Sequence, residues 1–276
     1  AEVALLDPDV VLFQEVFLPR HLRILQDKLY KWRHAFSGIQ AWRTFAGGLA
    51  VFSKHPLVEP EFVRFRDQGS LLRYCVLARV SRKGYISTIV QPQGGPPFRL
   101  VATHPVADYL IGRSGEAGAD ARGAKSAAEY LWQKGALARG DPYPALQRKQ
   151  LAQLMTHVMG LGPDLPLVVG GDFNMTPASK LLQNFLGATG LRDCMHGSLE
   201  PSIISERYYK LPYHGAPDRR IDYILLREGR SGHFMPRNPR YVLERAVTIS
   251  GLRSMTLSDH FGVFVELDWS GNSERI

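Results

Sequence analysis

The sequence predicts an α/β protein, and two observations predict this class. Apolar runs of strand length recur along the chain and end in acidic or amide residues, as in Leu165–Asn174. A longer stretch, Pro144–Gly160, instead places its apolar residues on one face of a helix. Because both halves of the chain place acids at strand ends, the pattern is that of two sheets sharing one cleft.

The remaining elements follow in chain order. The apolar run Pro8–Val16 predicts a first strand, and a helix is predicted from Pro19 to Tyr30 because proline favours the first helical turn. Strands are predicted near residues 48–53, 71–81, 84–91 and 98–103, with a turn at Gln91–Pro97, and later at 165–172, 219–226 and 257–267. Residues 113–140 are rich in Ala and Gly, which fits either a loose helix around 127–132 or a mobile segment.

The strand ending at Gly170 and Gly171 carries a strong chemical signal. Two glycines allow the backbone to turn sharply or to approach a neighbour closely. They place Asp172 and Asn174 at the carboxyl end of the strand, on the same side because strand side chains alternate. A carboxylate can hold a metal or take a proton from water, and an amide can donate to a phosphate oxygen. A plain connection after a strand is the structural alternative.

Other acids and histidines occupy similar places. Glu15 lies near the end of an apolar run, where a buried acid is costly unless it is paired or binds metal; a strand-end Glu in solvent is the alternative. Asp222 lies inside a predicted strand, and Asp259 and His260 open another. A histidine is the natural partner for a buried Asp222, because the pair fixes the imidazole tautomer and favours its charged form. His104 ends the strand at 98–103.

Together these segments resemble the endonuclease/exonuclease/phosphatase superfamily, which has the fold of pancreatic deoxyribonuclease. They are, in order, Gln14-Glu15, Thr103-His104, Gly171–Asn174, Ile221–Tyr223 and Ser258–His260. The resemblance spans nearly the whole chain. It implies a four-layer α/β fold, a two-sheet β-sandwich flanked by helices, and a metal-dependent phosphodiesterase or phosphatase activity.

Within the superfamily, the flanking segments look most like the neutral sphingomyelinases. Gly48–Pro56 resembles their Gly-Leu-x-Val-Phe-Ser-Lys-His-Pro segment, and Arg219–Tyr223 resembles their Arg-Ile-Asp-Tyr. Ser250–Leu252 echoes one branch of that group. The substrate implied by this resemblance is sphingomyelin, cleaved to ceramide and phosphocholine.

The resemblance also implies which residues bind the metal, the water and the phosphate during an in-line attack of water on phosphorus. Glu15 is expected to hold a divalent cation, Mg²⁺ with Mn²⁺ as the alternative, and Asp259 to support the metal side. Asp172 is expected to orient or deprotonate the water, and Asn174 to donate to a non-bridging oxygen.

Two histidines complete the implied mechanism. His260, oriented by Asp222, acts either as general base or as an imidazolium clamp on the phosphate, and the sequence leaves both roles open. His104 is the candidate acid for the leaving group. General acid–base help of this kind is typically worth about 10²–10⁴-fold.

The sequence departs from the family pattern in two places. The family normally opens with a strand carrying an Asn near the metal, and none precedes Glu15, so the first strand is expected to be missing from the single catalytic domain 1–276. The family's second His is also absent after His104, and residues 105–144 read as an insertion near the mouth of the site. As a hypothesis, Tyr109–Ile111 and Leu131-Trp132 there form a lid or lipid-contact surface.

Composition is that of an ordinary globular enzyme, with 276 residues, 45% hydrophobic and 22% charged. The net charge of +8 suits an anionic partner, either a phospholipid substrate at a membrane surface or a nucleic acid. The densest basic group is interpreted as a solvated strand face; it comprises Arg64, Arg66, Arg73, Arg79, Arg82 and Lys83.

Location and assembly are less constrained by the sequence. No apolar run approaches the roughly 20 residues that span a bilayer. The two cysteines, Cys75 and Cys194, do not support a disulfide framework. A soluble, peripheral or mature secreted form is compatible with this composition, and the sequence does not predict the oligomeric state.

Three functions fit these sequence features. A sphingomyelinase-like enzyme needs micelles or vesicles and an exposed apolar rim. A nuclease of the same fold shows a steep salt dependence and acts on plasmid DNA. A binding module, suggested by the missing Asn, binds its ligand without metal-dependent turnover.

Overall fold

The computed structural model describes residues 2–39, 47–69, 81–107, 142–203, 218–248 and 254–271. Its helices are α1 (Glu2–Leu6), α2 (Pro19–Lys28), α3 (Pro142–Gly160) and α4 (Lys180–Thr189). Its strands are β1 (Val10–Phe13), β2 (His34–Ser37), β3 (Ala50–Ser53), β4 (Leu57–Arg64), β5 (Gly84–Val90), β6 (Phe98–Thr103), β7 (Leu167–Asp172), β8 (Arg192–Asp193), β9 (Asp222–Arg227), β10 (Gly232–Val242), β11 (Val247–Thr248), β12 (Ser254–Met255) and β13 (Gly262–Gly271).

The larger sheet has six strands in the order β4-β5-β6-β7-β9-β8. Strands β6 and β7 are parallel, whereas β5–β6 and β7–β9 are antiparallel. A parallel pair needs a long crossover, and α3 lies in the connection between β6 and β7. The starts of β5 and β9 therefore lie at the same edge of the sheet as the ends of β6 and β7.

A second layer of strands packs against one face of this sheet. It contains the sheet β1-β3-β2 and the antiparallel pair β10–β13. One apolar cluster joins Leu49 and Val51 of this layer to Leu100 and Val168 of the larger sheet. Strand β1 approaches β7 so closely that a Cβ built on Gly170 would lie 2.6 Å from Leu12 Cδ1. The predicted two-sheet sandwich is confirmed.

Helices cover the two outer faces of the sandwich. Leu151, Leu154 and Val158 of α3 pack with Phe185 of α4 against the outer face of the six-stranded sheet. Burying each such side chain is worth about 1.5–3 kcal/mol. On the other side, Leu29 just after α2 belongs to a cluster over β3. The order helix, sheet, sheet, helix gives the four layers expected from the sequence.

Most predicted elements lie where the patterns placed them. The helix predicted from Pro19 runs to Lys28, and the helix predicted from Pro144 begins two residues earlier, at Pro142. Gln91–Pro97 connects the antiparallel strands β5 and β6. The predictions that lie outside the described residues are the strand at 71–81, Cys75, the helix at 127–132, Tyr109–Ile111 and Leu131-Trp132, and Ser250–Leu252.

The prediction of a solvated basic strand face was wrong for one of its members. Arg64 and Arg66 are exposed, as expected. Lys83, in contrast, is only 2% exposed. It lies between Phe65 and the end of β6, where its main-chain oxygen accepts a hydrogen bond from the Phe65 amide at 3.0 Å. Charge density along the sequence could not distinguish this lysine from its exposed neighbours.

Candidate active site

Four polar side chains meet at one edge of the six-stranded sheet. Lys83 immediately precedes β5, His104 follows β6, Asp172 ends β7 and Asp222 begins β9. The strand registers bring them together, because Thr103 pairs with both Tyr85 and Gly171, and Asp172 pairs with Asp222. Residues far apart in the sequence thereby become neighbours.

Strand alternation directs three of these side chains toward the second sheet. The apolar residues on that face of β6, β7 and β9 are Leu100, Ala102, Val168, Ile224 and Leu226. His104, Asp172 and Asp222 follow the same period of two. The polar cluster thus lies at the end nearest solvent of the row of side chains that forms the core between the sheets.

Gly171 permits the close approach of β6 and β7 beside the cluster. Its φ is +140°, and a Cβ at this position would lie 2.0 Å from the Thr103 carbonyl oxygen. Only glycine adopts this geometry without displacing the neighbouring strand. The glycine therefore fixes the distance between His104 and Asp172.

Asp222 and His260 form the hydrogen-bonded pair that the sequence predicts. His260 Nδ1 lies 2.8 Å from Asp222 Oδ2, with Asp222 buried and His260 about one quarter exposed at its side chain. The bond holds the imidazole in one orientation and leaves Nε2 as the ring nitrogen that can meet another hydrogen-bond partner.

Ser202 organises this pair, although no feature of the sequence around it predicts the role. Its hydroxyl donates to Asp222 Oδ2 at 2.6 Å and accepts from the amides of Ile221 and Asp222 at 3.0 and 3.2 Å. Its carbonyl accepts from the Phe261 amide at 2.7 Å. One residue thus ties the start of β9 to the segment that carries His260.

The charge environment raises the pKa of His260. Burial lowers it, but the hydrogen bond and charge of Asp222, together with the charges of Asp172 and Asp259, raise the pKa of His260 to about 9. Burial and the charge of Asp172 raise the pKa of Asp222, while its bonds to His260 and Ser202 oppose that rise. His260 is therefore an imidazolium at neutral pH.

Lys83, His104 and Asp172 form a second, deeper network. Lys83 Nζ lies 2.6 Å from His104 Nε2, and the same nitrogen lies 3.3 Å from Asp172 Oδ2. Burial, and then the charge of Lys83, lower the pKa of His104 against the opposing effect of Asp172. Despite burial, its neighbours His104, His260 and Lys83 together hold the pKa of Asp172 well below its usual value. Asp172 is thus an anion in contact with a neutral imidazole.

Asn174 follows the end of β7 in a left-handed conformation, with φ of +54°. Its main-chain amide donates to Asp172 Oδ1 at 2.7 Å, and its side-chain Nδ2 donates to the Pro105 carbonyl at 3.1 Å. The sequence placed Asn174 beside Asp172 by strand alternation, but the strand ends at Asp172. A tight turn produces the proximity instead.

Glu15 and Asp259 approach the cluster from its rim. Glu15 is exposed, has a φ of +61° and precedes a turn in which the Phe17 amide donates to its carbonyl at 3.0 Å. Its charge raises the pKa of both Lys83 and His104. Asp259 acts on His260 in the same way.

A cation would find suitable ligands between these groups. Ligand atoms of Asp172, Asp222 and His260 lie within 4.8 Å of one another, and among the described residues this set does not include Glu15 or Asp259. Because the charge of one carboxylate raises the pKa of the other, the site has negative charge to offset. Carboxylate oxygens are the hard ligands that Mg²⁺ prefers. Because the His260 imidazolium has no lone pair to give to a metal, the carboxylates of Asp172 and Asp222 are the groups of this set that fit a divalent cation.

Comparison with known proteins bears on the family and on the fold. The model of the endonuclease/exonuclease/phosphatase family matches residues 1–260. Among curated proteins, none matches the sequence.

Solved structures share the fold at low identity. Sphingomyelinase C from Streptomyces griseocarneus is 20% identical, with a TM-score of 0.58 over 96% of this chain and 86% of that one. D. rerio TDP2, complexed with a single-strand DNA product, is 16% identical, with a TM-score of 0.64 over 96% and 88%. A variant of beta toxin from Staphylococcus aureus with bound magnesium ions is 16% identical, with a TM-score of 0.60 over 92% and 85%.

The described helices do not include one that is both long and apolar enough to cross a bilayer.

Proposed function

The chain belongs to the endonuclease/exonuclease/phosphatase family, and from that premise we propose that it is a metal-dependent phosphodiesterase acting on a phospholipid headgroup. The proposed reaction converts sphingomyelin to ceramide and phosphocholine. The observation that supports a lipid substrate is a pair of exposed leucines, each three residues before a member of the hydrogen-bonded group Ser202, Asp222 and His260. Leu199 is 84% exposed and Leu257 is 55% exposed.

These two leucines belong to the segments that build the site. Leu199 precedes Ser202 by three residues, and Leu257 precedes His260 by three residues. We name Leu199 and Leu257 the apolar rim. Exposed leucines gain free energy by entering the acyl region of a micelle or bilayer, at about 25 cal/mol per Å² of apolar surface removed from water. Such a rim would hold the headgroup of a lipid near His260.

The proposed chemistry uses an anion and a cation of the cluster together. Asp172, an anion beside His104 and held by the Asn174 amide, orients the attacking water toward phosphorus. The His260 imidazolium donates through Nε2 to a phosphate oxygen and is kept in place by Asp222. Attack and charge stabilisation thus come from neighbouring side chains.

Two further residues receive roles at the phosphate. The Asn174 side chain is proposed to donate to a non-bridging oxygen, and Glu15 to help hold the cation from the rim of the cleft. A divalent cation, proposed to be Mg²⁺, would neutralise charge on the phosphate.

The role that we propose for His104 differs from the leaving-group acid that the family resemblance implies. A leaving-group acid must carry a proton on a nitrogen that faces the substrate. His104 is 2% exposed, and its Nε2 lies 2.6 Å from the Lys83 ammonium. We therefore propose that His104 is the buried partner of Lys83 beside Asp172, and that the His260 imidazolium gives its proton to the ceramide oxygen as the bond from that oxygen to phosphorus breaks. Asp172 receives the proton of the attacking water as the new bond to phosphorus forms.

A substrate comparison tests the proposal. We expect phosphocholine release from sphingomyelin in mixed micelles, and Leu257→Asp should lower this rate by about tenfold or more because a charge at the rim opposes insertion. Met159→Asp is the matched control, since Met159 is 57% exposed near the end of α3, on the outer face of the larger sheet. Equal losses in both variants, or none in Leu257→Asp, would argue against the apolar rim as a lipid contact.

A nuclease is the second candidate, and the net charge of +8 favours it. Phosphate contacts by Lys and Arg make nucleic-acid binding fall steeply with salt. Nicking of supercoiled plasmid that weakens sharply between low and physiological salt, without phosphocholine release, would replace the lipid proposal. Ligand binding without turnover of either substrate would identify a binding module.

A further inference from the structure

We propose that Lys83 is a positioning residue of this site: its ammonium fixes the tautomer of His104 and acts as a built-in cation beside Asp172 and Glu15. The catalytic part of this proposal rests on the proposed phosphodiesterase function. The structural part concerns one hydrogen bond and one charge, and it is testable on the protein without substrate.

The hydrogen bond follows from the chemistry of the two partners. Lys83 Nζ and His104 Nε2 are 2.6 Å apart, and both side chains are buried. An ammonium has three N–H donors and no acceptor. His104 Nε2 must therefore present its lone pair to Lys83, and the ring proton of the neutral imidazole is placed on Nδ1.

This tautomer determines how His104 meets Asp172. Asp172 Oδ2 lies 3.3 Å from the same Nε2. With a proton on Nε2, His104 would donate to Asp172 directly; with its lone pair facing Lys83, Nε2 carries no proton, and the 3.3 Å contact with Asp172 is not a hydrogen bond. The main-chain amide of Asn174 is then the donor that holds Asp172. Which group donates to Asp172 thus depends on Lys83, a residue one step removed from the substrate.

The main chain holds Lys83 firmly in this position. Its carbonyl accepts two hydrogen bonds, from the Phe65 amide at 3.0 Å and from Gln68 Nε2 at 2.7 Å. The following residue, Gly84, passes so close to β4 that an added Cβ would lie 2.2 Å from the Val63 carbonyl oxygen. These contacts hold the main chain of Lys83 in place, so that its side chain stays in the interior.

The second consequence concerns charge. Burial lowers the pKa of Lys83 to about 8, against the raising effects of Asp172 and Glu15. A buried ammonium is costly unless anions compensate it. Here the compensating anions are the acids that also face the proposed cation. A fixed positive charge at this point weakens the binding of a divalent cation while it helps to keep Asp172 ionised.

The tautomer and the charge of Lys83 predict opposite effects of Lys83→Met on kcat and on Mg²⁺ affinity. The variant should lower kcat by roughly 10–100-fold, as is usual for loss of a residue that orients a ligand or catalytic group. It should also bind Mg²⁺ about threefold or more tightly, because a like charge has been removed. A residue that only filled space would weaken both properties together. Lys83→Arg keeps the charge and should retain wild-type Mg²⁺ affinity.

The primary experiment measures the ring nitrogens of His104 by ¹⁵N NMR in the wild-type protein, with His104→Gln to assign its signals. We expect the Nδ1–H tautomer in the wild type and the Nε2–H tautomer in Lys83→Met. Calorimetry then measures Mg²⁺ binding to both proteins. Lys149→Met is the matched control, because Lys149 is an exposed lysine that also pairs with an acid, Asp67, at 3.2 Å.

The outcomes separate this proposal from the proposed function. An Nε2–H tautomer in the folded wild type overturns the role of Lys83 whatever the activity. Weaker Mg²⁺ binding in Lys83→Met overturns the charge argument, and if that variant does not fold, the wild-type tautomer and Lys83→Arg still decide. A wild type that has the Nδ1–H tautomer but hydrolyses no phosphodiester refutes the proposed function and leaves the tautomer assignment intact.

Discussion

At the scale of single residues, the electrostatics of His260 set the chemistry. Its pKa is raised to about 9, since the bond and charge of Asp222 outweigh burial. The raised pKa also links the pair to stability: its contribution is fully present below the ordinary histidine pKa of 6.5 and is lost as pH rises through about 9. Activity that depends on the imidazolium should decline over the same alkaline range.

Asp222→Asn tests this electrostatic account. Without the carboxylate, the pKa of His260 should fall toward its ordinary value, and the alkaline limb of the pH–rate profile should move to lower pH. NMR titration of His260 and kcat measured against pH provide the two readouts. Asp164→Asn is the control, because Asp164 pairs with Arg230 at 3.2 Å on the exposed surface. An unchanged pKa in Asp222→Asn would show that the charges of Asp172 and Asp259, and not the pair, raise the pKa of His260.

Residues that carry their own chemical signature were the most predictable from the sequence. A buried acid needs a partner, so the sequence alone pairs Asp222 with His260, and the hydrogen bond between them confirms the pair. Lys83 and Ser202 carry no such signature. A lysine beside other basic residues is typical of a surface, and a serine in a loop is compatible with many roles. Their positions follow from strand register and from hydrogen bonds between distant segments.

At the scale of elements, the ends of β6 and β7 determine where the site lies. Apolar runs predicted both strands and their polar ends. Their parallel pairing, and the antiparallel pairing of β9, come from tertiary packing across a long connection. The apolar runs therefore predicted which polar residues stand at the strand ends, whereas the neighbours of each strand came from the fold.

Gly171→Ala tests the role of this close strand contact. The substitution needs a Cβ 2.0 Å from the Thr103 carbonyl oxygen at a φ of +140°, so it should destabilise the fold by about 2 kcal/mol or more. Gly187→Ala in α4 meets nothing within 4 Å and should be neutral or stabilising by up to about 1 kcal/mol. Urea unfolding of both variants gives the comparison. Equal free energies of unfolding for Gly171→Ala and Gly187→Ala would mean that moving β6 away from β7 costs no stability.

At the scale of the whole molecule, the four-layer sandwich places one polar cleft between two sheets. The fold and the order of motifs were both predictable, because the polar strand ends are spread over nearly the whole chain. The substrate class depends on surface features outside those motifs, such as the exposed apolar rim and the net charge of +8. These two features favour different partners, which is why substrate assays have to decide between them.

The most direct test of the central claim is turnover by wild type and His260→Ala, each measured with Mg²⁺ and with EDTA on sphingomyelin micelles. We expect phosphocholine release that requires Mg²⁺ and falls by at least about 10²-fold in His260→Ala. Circular dichroism verifies that the variant is folded. Release that persists in EDTA, or a folded His260→Ala with wild-type kcat, would contradict that claim.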